Sequence, residues 1–138
     1  MALKTYAGAC HCGAVRFTAE VDLEKGTTRC NCSICYKQRA WFAIVGAARF
    51  RLTRGENDLA DYQWAPPGRE PHLHYRFCRT CGVRAFAQGD DERLGGKFYA
   101  VAVATLEDAD PDELAASIEY VDGRHDRYER QPADTRLL

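Results

Sequence analysis

The sequence predicts a mainly β fold in a single domain covering residues 1–138. Three observations point that way: apolar and polar residues alternate with period 2 in several stretches, only one short helix start is present, and the cysteines fall in close pairs. With 138 residues, 46% of them hydrophobic, the chain can bury a core without needing a metal to collapse around.

The elements follow in chain order. Tyr6 to Val21 reads as strand, with Val15, Phe17, Ala19 and Val21 alternating against Arg16, Thr18 and Glu20. Ala40 to Leu52 is a second β stretch, rich in Trp41, Phe42, Ile44 and Val45, and Gly46 marks a bulge or turn within it. Asp61 to Ala65 is a short strand before the Pro66-Pro67-Gly68 turn, and His72 to Phe77 resumes as strand. Gln88 to Lys97 carries Gly89, Asp90, Asp91, Gly95 and Gly96 and is expected as a loop. Phe98 to Thr105 follows as strand. Asp110-Pro111-Asp112-Glu113 starts the one short helix, with an N-cap acid and a proline in the first turn. After Asp122-Gly123 the charged tail is expected on the surface or fraying.

Nineteen Lys and Arg against 20 Asp and Glu give a formal net charge of −1, so no global field draws nucleic acid or an anionic membrane. No apolar run is long enough to span a bilayer, and the stretch from Met1 to Tyr6 has no secretory core. A cytoplasmic address is expected, and thiols are kept reduced there.

That bears on the seven cysteines, at positions 10, 12, 30, 32, 35, 78 and 81. An odd number leaves one thiol over in a fully disulfide-bonded scheme. Partners one or two residues apart make strained disulfides but good chelates. Zinc is the metal expected, since it takes four tetrahedral ligands from such pairs.

The cysteines divide four plus three. Cys10-His11-Cys12-Gly13 and Cys78-Arg79-Thr80-Cys81-Gly82 are pairs closed at once by glycine, which permits a knuckle whose amides turn toward the sulfurs. Together they predict a closed four-thiolate structural site joining distant segments. Cys30-Asn31-Cys32-Ser33-Ile34-Cys35 supplies three ligands from one loop and leaves an open position, the mark of a catalytic metal. The alternative is a second structural site closed by a histidine: His11, His72, His74 or His125. His72 and His74 alternate in a strand and so share a face. They are either solvated strand residues or visitors to the open metal. Lys37 and Arg39, just beyond the three-cysteine loop, are either a solvated edge or a cationic rim that binds an anionic substrate. Gly95-Gly96-Lys97 lacks the rest of a phosphate-binding loop, and no G-x-S-x-G, H-E-x-x-H or G-x-G-x-x-G occurs.

The ordered set Cys10-x-Cys12-Gly13, Cys30-x-Cys32-x-x-Cys35 and Phe77-Cys78-x-x-Cys81-Gly82 resembles the glutathione-dependent formaldehyde-activating enzyme family, which includes centromere-protein-V-like members. The likeness runs from about Ala9 to about Asp108. It includes Ala14-Val15-Arg16-Phe17 and Thr105-Leu106-Glu107-Asp108. The resemblance implies an Mss4-like, tent-shaped β fold and the same four-plus-three division, with Cys30, Cys32 and Cys35 on the catalytic zinc.

The expected activity is that of a carbon–sulfur lyase, with reversible addition of a thiol, glutathione in the first place, to formaldehyde or another small aldehyde. Three thiolates leave a zinc site with a net charge of −1, a weak Lewis acid that still binds a fourth thiolate and keeps it deprotonated. Soft sulfur suits it better than a carbonyl oxygen. A non-catalytic glutathione carrier, or a zinc-stabilised interaction module, is the competing class. Turnover beyond the spontaneous rate separates the two. The partners expected are a small-molecule thiol and an aldehyde, without nucleic acid or membrane, and a homodimer is left open.

Overall fold

A computed structural model describes residues 3–116 and 118–138, so Met1 and Ala2 of the N-terminal stretch read above lie outside the described residues. The fold is mainly β. One sheet has three strands in the order β1-β2-β5: β1 (Leu3–Ala9), β2 (Arg16–Asp22) and β5 (Phe50–Arg54). The other has seven, in the order β10-β3-β4-β9-β8-β7-β6. Its strands are β3 (Thr27–Cys30), β4 (Trp41–Gly46), β6 (Leu59–Trp64), β7 (Leu73–Cys78), β8 (Arg84–Asp91), β9 (Gly96–Ala102) and β10 (Ile118–Val121). Neighbours run antiparallel except β10 and β3, which are parallel.

The alternation read from the sequence places Phe17, Ala19 and Val21 inward on β2, all three buried. Phe17 reaches across to the larger sheet. Its ring stacks on Phe50 at 5.2 Å, Phe50 lies 4.7 Å from Phe86 on β8, and Tyr99 on β9 stacks on Phe50 at 4.0 Å. These rings, with Val15, Val101 and Val103 at 0% exposure, form the core that holds the two sheets together. Gly8 is required beside them, because a Cβ there would run into the Phe17 ring.

Several expectations are corrected by the pairing. Tyr6 to Val21 is not one strand but the hairpin β1–β2, interrupted by the first cysteine pair. Ala40 to Leu52 is likewise two strands, and Gly46 leads into a tight 3-10 turn, Ala47–Arg49, that passes the chain from the large sheet to the small one. Gln88 to Lys97 is not a loop. β8 extends to Asp91 and β9 begins at Gly96, with Gly89 opposite Phe98. Gly89 is a packing residue here. A Cβ on it would lie 2.8 Å from Leu73 and 2.9 Å from Phe98, so hydrogen makes room for both side chains. His72 precedes β7 and only His74 lies in that strand, so the two do not share a strand face.

The expected helix is α2 (Pro111–Ala115), capped by the Asp110 side chain accepting from the Asp112 amide at 2.8 Å. A second short helix, α1 (Ser33–Gln38), was not expected. It carries Cys35, begins at Cys32 without a side-chain cap and ends at Arg39 in the left-handed region.

Candidate metal centres

The two cysteine pairs that close the β1–β2 and β7–β8 connections are built alike. The amide of Cys10 donates to the Val15 carbonyl at 3.0 Å, and the amide of Gly13 to the Cys10 carbonyl at 3.2 Å. The second repeats the pattern, Cys78 to Val83 at 3.0 Å and Gly82 to Cys78 at 2.9 Å. Gly13 and Gly82 sit at φ +81° and +75°, the left-handed turn that glycine makes without strain. Amides then point at sulfur: Val15 to Cys10 Sγ at 3.3 Å, and Thr80 and Cys81 to Cys78 Sγ at 3.4 and 3.5 Å.

The sulfurs of Cys10, Cys12, Cys78 and Cys81 all lie within 4.8 Å of one another. Cys10 and Cys12 are 3.7 Å apart, and Cys12 and Cys78 3.6 Å. Four sulfurs ~2.3 Å from one zinc stand ~3.8 Å apart at the corners of a tetrahedron, so the donor set fits that ion. The inward amides favour thiolate over thiol. They hold Cys78 below the ordinary thiol range, chiefly through the Cys81 amide, and Cys81 at about 6 through the Cys12 and Val83 amides. At Cys12 the Ala14 amide acts the same way but is outweighed by desolvation and the neighbouring thiols, which push it up to about 11.

Cys30, Cys32 and Cys35 form the second cluster, again with all sulfurs within 4.8 Å. Cys30 ends β3, Cys32 caps α1 and Cys35 lies one turn inside it. The Cys32 amide donates to Cys30 Sγ at 3.4 Å. Hydrogen bonds from Cys30 and Cys35 hold Cys32 well below the usual thiol range, while the same crowding drives Cys35 up. No histidine or carboxylate among the described residues joins this cluster. His11 is exposed, His74 is bonded to Asp61 at 2.8 Å and His125 to Asp122 at 2.9 Å. Three thiolates in this arrangement fit a zinc ion with one coordination position left to an outside ligand.

The three cysteines line a cavity of about 1030 Å³ that opens between α1 and the face of the larger sheet. Arg39 and His72 line it too, whereas Lys37 is exposed and lies outside its wall. Arg39 stacks on the Tyr36 ring at 5.3 Å, and Arg124 stacks on the same ring at 5.4 Å. Much of the remaining wall is apolar, including Trp41, Trp64, Phe86 and Phe98.

Two groups of residues at this centre escaped the sequence reading. The first is the segment after β10, which closes over the cluster. Asp122, 4% exposed, accepts from Asn31 Nδ2 at 2.9 Å, and the Arg124 amide donates to Asn31 Oδ1 at 2.9 Å. A Cβ on Gly123 would stand 2.5 Å from Cys30 Sγ. The tail therefore does not simply fray: its first residues pack on the cysteines. The second is the pair Tyr75 and Arg84, on neighbouring strands β7 and β8. Both line the cavity, and the Arg84 guanidinium lies 5.0 Å above the Tyr75 ring. Burial, then the thiol groups, push the Tyr75 hydroxyl above its ordinary range, so it stays protonated. Asn31-to-Asp122 spacing and a lone arginine two residues past Gly82 were the only signals available for either, and neither marks a site by itself.

The family's sequence model, described as glutathione-dependent formaldehyde-activating enzyme, matches residues 5–122. The chain belongs to that family. A crystal structure of a Rhodobacter sphaeroides protein is also similar, at 32% identity and a TM-score of 0.67. The match covers 83% of this chain and 99% of that one. All seven cysteines fall within the part that matches the glutathione-dependent formaldehyde-activating enzyme family. Among the described residues no helix is long and apolar enough to cross a membrane.

Proposed function

We propose that this chain is a zinc-dependent carbon–sulfur lyase that reversibly adds a thiol, glutathione, to formaldehyde or another small aldehyde. The observation that carries the reading is the three-cysteine cluster, short of a fourth ligand among the described residues and opening onto a cavity large enough for a tripeptide-sized thiol. Cys30, Cys32 and Cys35 are the residues proposed to hold the catalytic zinc. Cys10, Cys12, Cys78 and Cys81 are proposed to hold the structural one.

When bound at the three cysteines, zinc supplies an open position that accepts sulfur and lowers the pKa of the incoming thiol. The chain's own part is positional. The Cys32 amide donates to Cys30, Gly123 packs against Cys30 and Cys32, and the Asn31–Asp122 bond holds that cap over them. The apolar part of the wall, including Trp41 and Trp64, would limit water around a bound aldehyde. In the addition, the thiolate lone pair forms the carbon–sulfur bond and the carbonyl π pair moves to oxygen. The proton that left the thiol ends on that oxygen. The reverse step breaks the same bond and returns free aldehyde. Seven reduced thiols suit a cytoplasmic setting.

The deciding experiment measures exchange between free and thiol-bound 13C-formaldehyde by NMR, with glutathione and zinc-loaded protein. Exchange faster than the protein-free rate, lost in Cys35→Ser, supports the lyase. Glutathione binding with an unchanged exchange rate rejects it in favour of a carrier.

A further inference from the structure

Arg84 is the cavity's unusual cation. Its guanidinium lies over two rings of one strand face, 5.0 Å from the Tyr75 centroid and 5.6 Å from that of Phe77, and burial pulls its pKa down. Its Nη1 is enclosed and has no hydrogen-bond partner. Of the other arginines of the same wall, Arg93 pairs with Asp91 at 2.9 Å and Arg69 with Asp126 at 3.6 Å, while Arg29 and Arg39 have no ion pair and lie over Trp41 and Tyr36 at 4.8 and 5.3 Å. Among the described residues Arg84 alone of the five carries an enclosed guanidinium nitrogen without a partner. Among the described residues no carboxylate pairs with Arg84. Arg84 is half-buried, ring stacking offsets only part of what its enclosed nitrogen loses on leaving water, and polar groups taken out of water are as a rule paired. Position adds to this. β7 and β8 pair Phe77 with Arg84 across a register shift, which sets the guanidinium over the strand face that also bears Tyr75, and both side chains line the cavity of Cys30, Cys32 and Cys35. The planar fork of arginine matches a carboxylate with two hydrogen bonds.

We propose that Arg84, backed by the Tyr75 and Phe77 rings, is the carboxylate-holding residue of this cavity and sets its preference for anionic reactants. The proposal deepens the lyase reading and rests on its assignment of the cavity as the reaction site. The carboxylate belongs either to the thiol, as in glutathione, or to the carbonyl compound, as in an oxo acid. The shared chemistry is one anionic group seated on the guanidinium. Bond making and breaking are as above, and Arg84 takes no proton.

The test is calorimetric. Zinc-loaded parent and Arg84→Gln protein are titrated with glutathione and with glutathione diethyl ester, whose carboxylates are masked. They are then titrated with glyoxylate and with glycolaldehyde in the presence of 2-mercaptoethanol. Zinc content is measured alongside. A lost charge-assisted pair should weaken the carboxylate-bearing ligand roughly 10- to 100-fold and leave its neutral counterpart unchanged. Loss confined to glutathione assigns the seat to the thiol, and loss confined to glyoxylate assigns it to the carbonyl compound. Equal weakening of charged and neutral ligands, or no weakening at all, overturns the proposal, as does a parent that binds none of them. If Arg84→Gln misfolds or loses zinc, Arg84→Lys decides. It keeps the charge without the fork, and it should weaken the same ligand selectively. Unchanged binding of every ligand by that variant overturns the seat. A parent that separates acid from ester without speeding formaldehyde exchange rejects the lyase reading and leaves the seat standing.

Discussion

Replacing Cys78 by serine should destabilise the whole domain, and by clearly more than the same change at Cys35. Cys78 is 1% exposed and ends β7, and its sulfur stands 3.6 Å from that of Cys12, 66 positions earlier in the chain. A metal held by both closes a loop of that length. In the chain-entropy treatment of cross-links, such a closure is worth ~4 kcal/mol at 25 °C. The three-cysteine centre spans only Cys30 to Cys35, and the same treatment gives it ~2 kcal/mol. For a chain of this size the corresponding losses in melting temperature are roughly 12–18 °C for Cys78→Ser and roughly 6–9 °C for Cys35→Ser. The assay is thermal unfolding of zinc-loaded protein followed by circular dichroism, repeated after exhaustive chelation. Chelated parent and chelated Cys78→Ser should then melt together, because the cross-link is gone from both. Normal melting by Cys78→Ser would refute the structural role given to the four-cysteine set. A Cys35→Ser loss equal to that of Cys78→Ser would refute the division into a tie between sheets and a local centre.

Metal analysis of gently purified protein should find two zinc ions per chain, with the three-cysteine one released first on mild chelation. A ceiling of one after reconstitution would count against the second centre. Gly123→Ala should push the tail off Cys30, since its Cβ would meet that sulfur at 2.5 Å. The readout is faster zinc release from the three-cysteine centre with the melting temperature little changed. Phe17→Ala, at a side chain 1% exposed between Phe50 and Phe86, should cost ~3–5 kcal/mol in urea unfolding. Glu113 accepts from Lys4 at 2.7 Å and from the Tyr6 hydroxyl at 2.5 Å, and these bonds hold its carboxyl below the ordinary range. A depressed folded pKa means the contribution is present above the unfolded value of 4.5 and is lost as pH falls through the folded one. The stability gap between parent and Glu113→Gln should therefore shrink below pH 4.5 and be constant above it.

The sequence by itself determined what local chemistry determines. Each cysteine pair followed by glycine makes a local turn, because the left-handed φ at Gly13 and Gly82 and the amide-to-sulfur bonds are set within five or six residues. The two clusters of four and three were legible for that reason, as was the inward face of β2, whose period-2 pattern fixes its own burial. Where the sequence misled, a longer-range contact had overridden a local preference. Gly89 and Asp90 read as a loop, but pairing of β8 with β9 and the packing of Leu73 and Phe98 over Gly89 made strand of them. α1 has six residues, too few for a helical period to show, and it forms where the Cys32 carbonyl accepts the Tyr36 amide at 2.8 Å. Only the tertiary structure brings Tyr75 and Arg84 into the three-cysteine cavity, and Gly123 over its cysteines beside Asp122, which is 91 positions from its partner Asn31. Strand register and the path of a tail are settled by which surfaces pack together, and no stretch of a few residues carries that information.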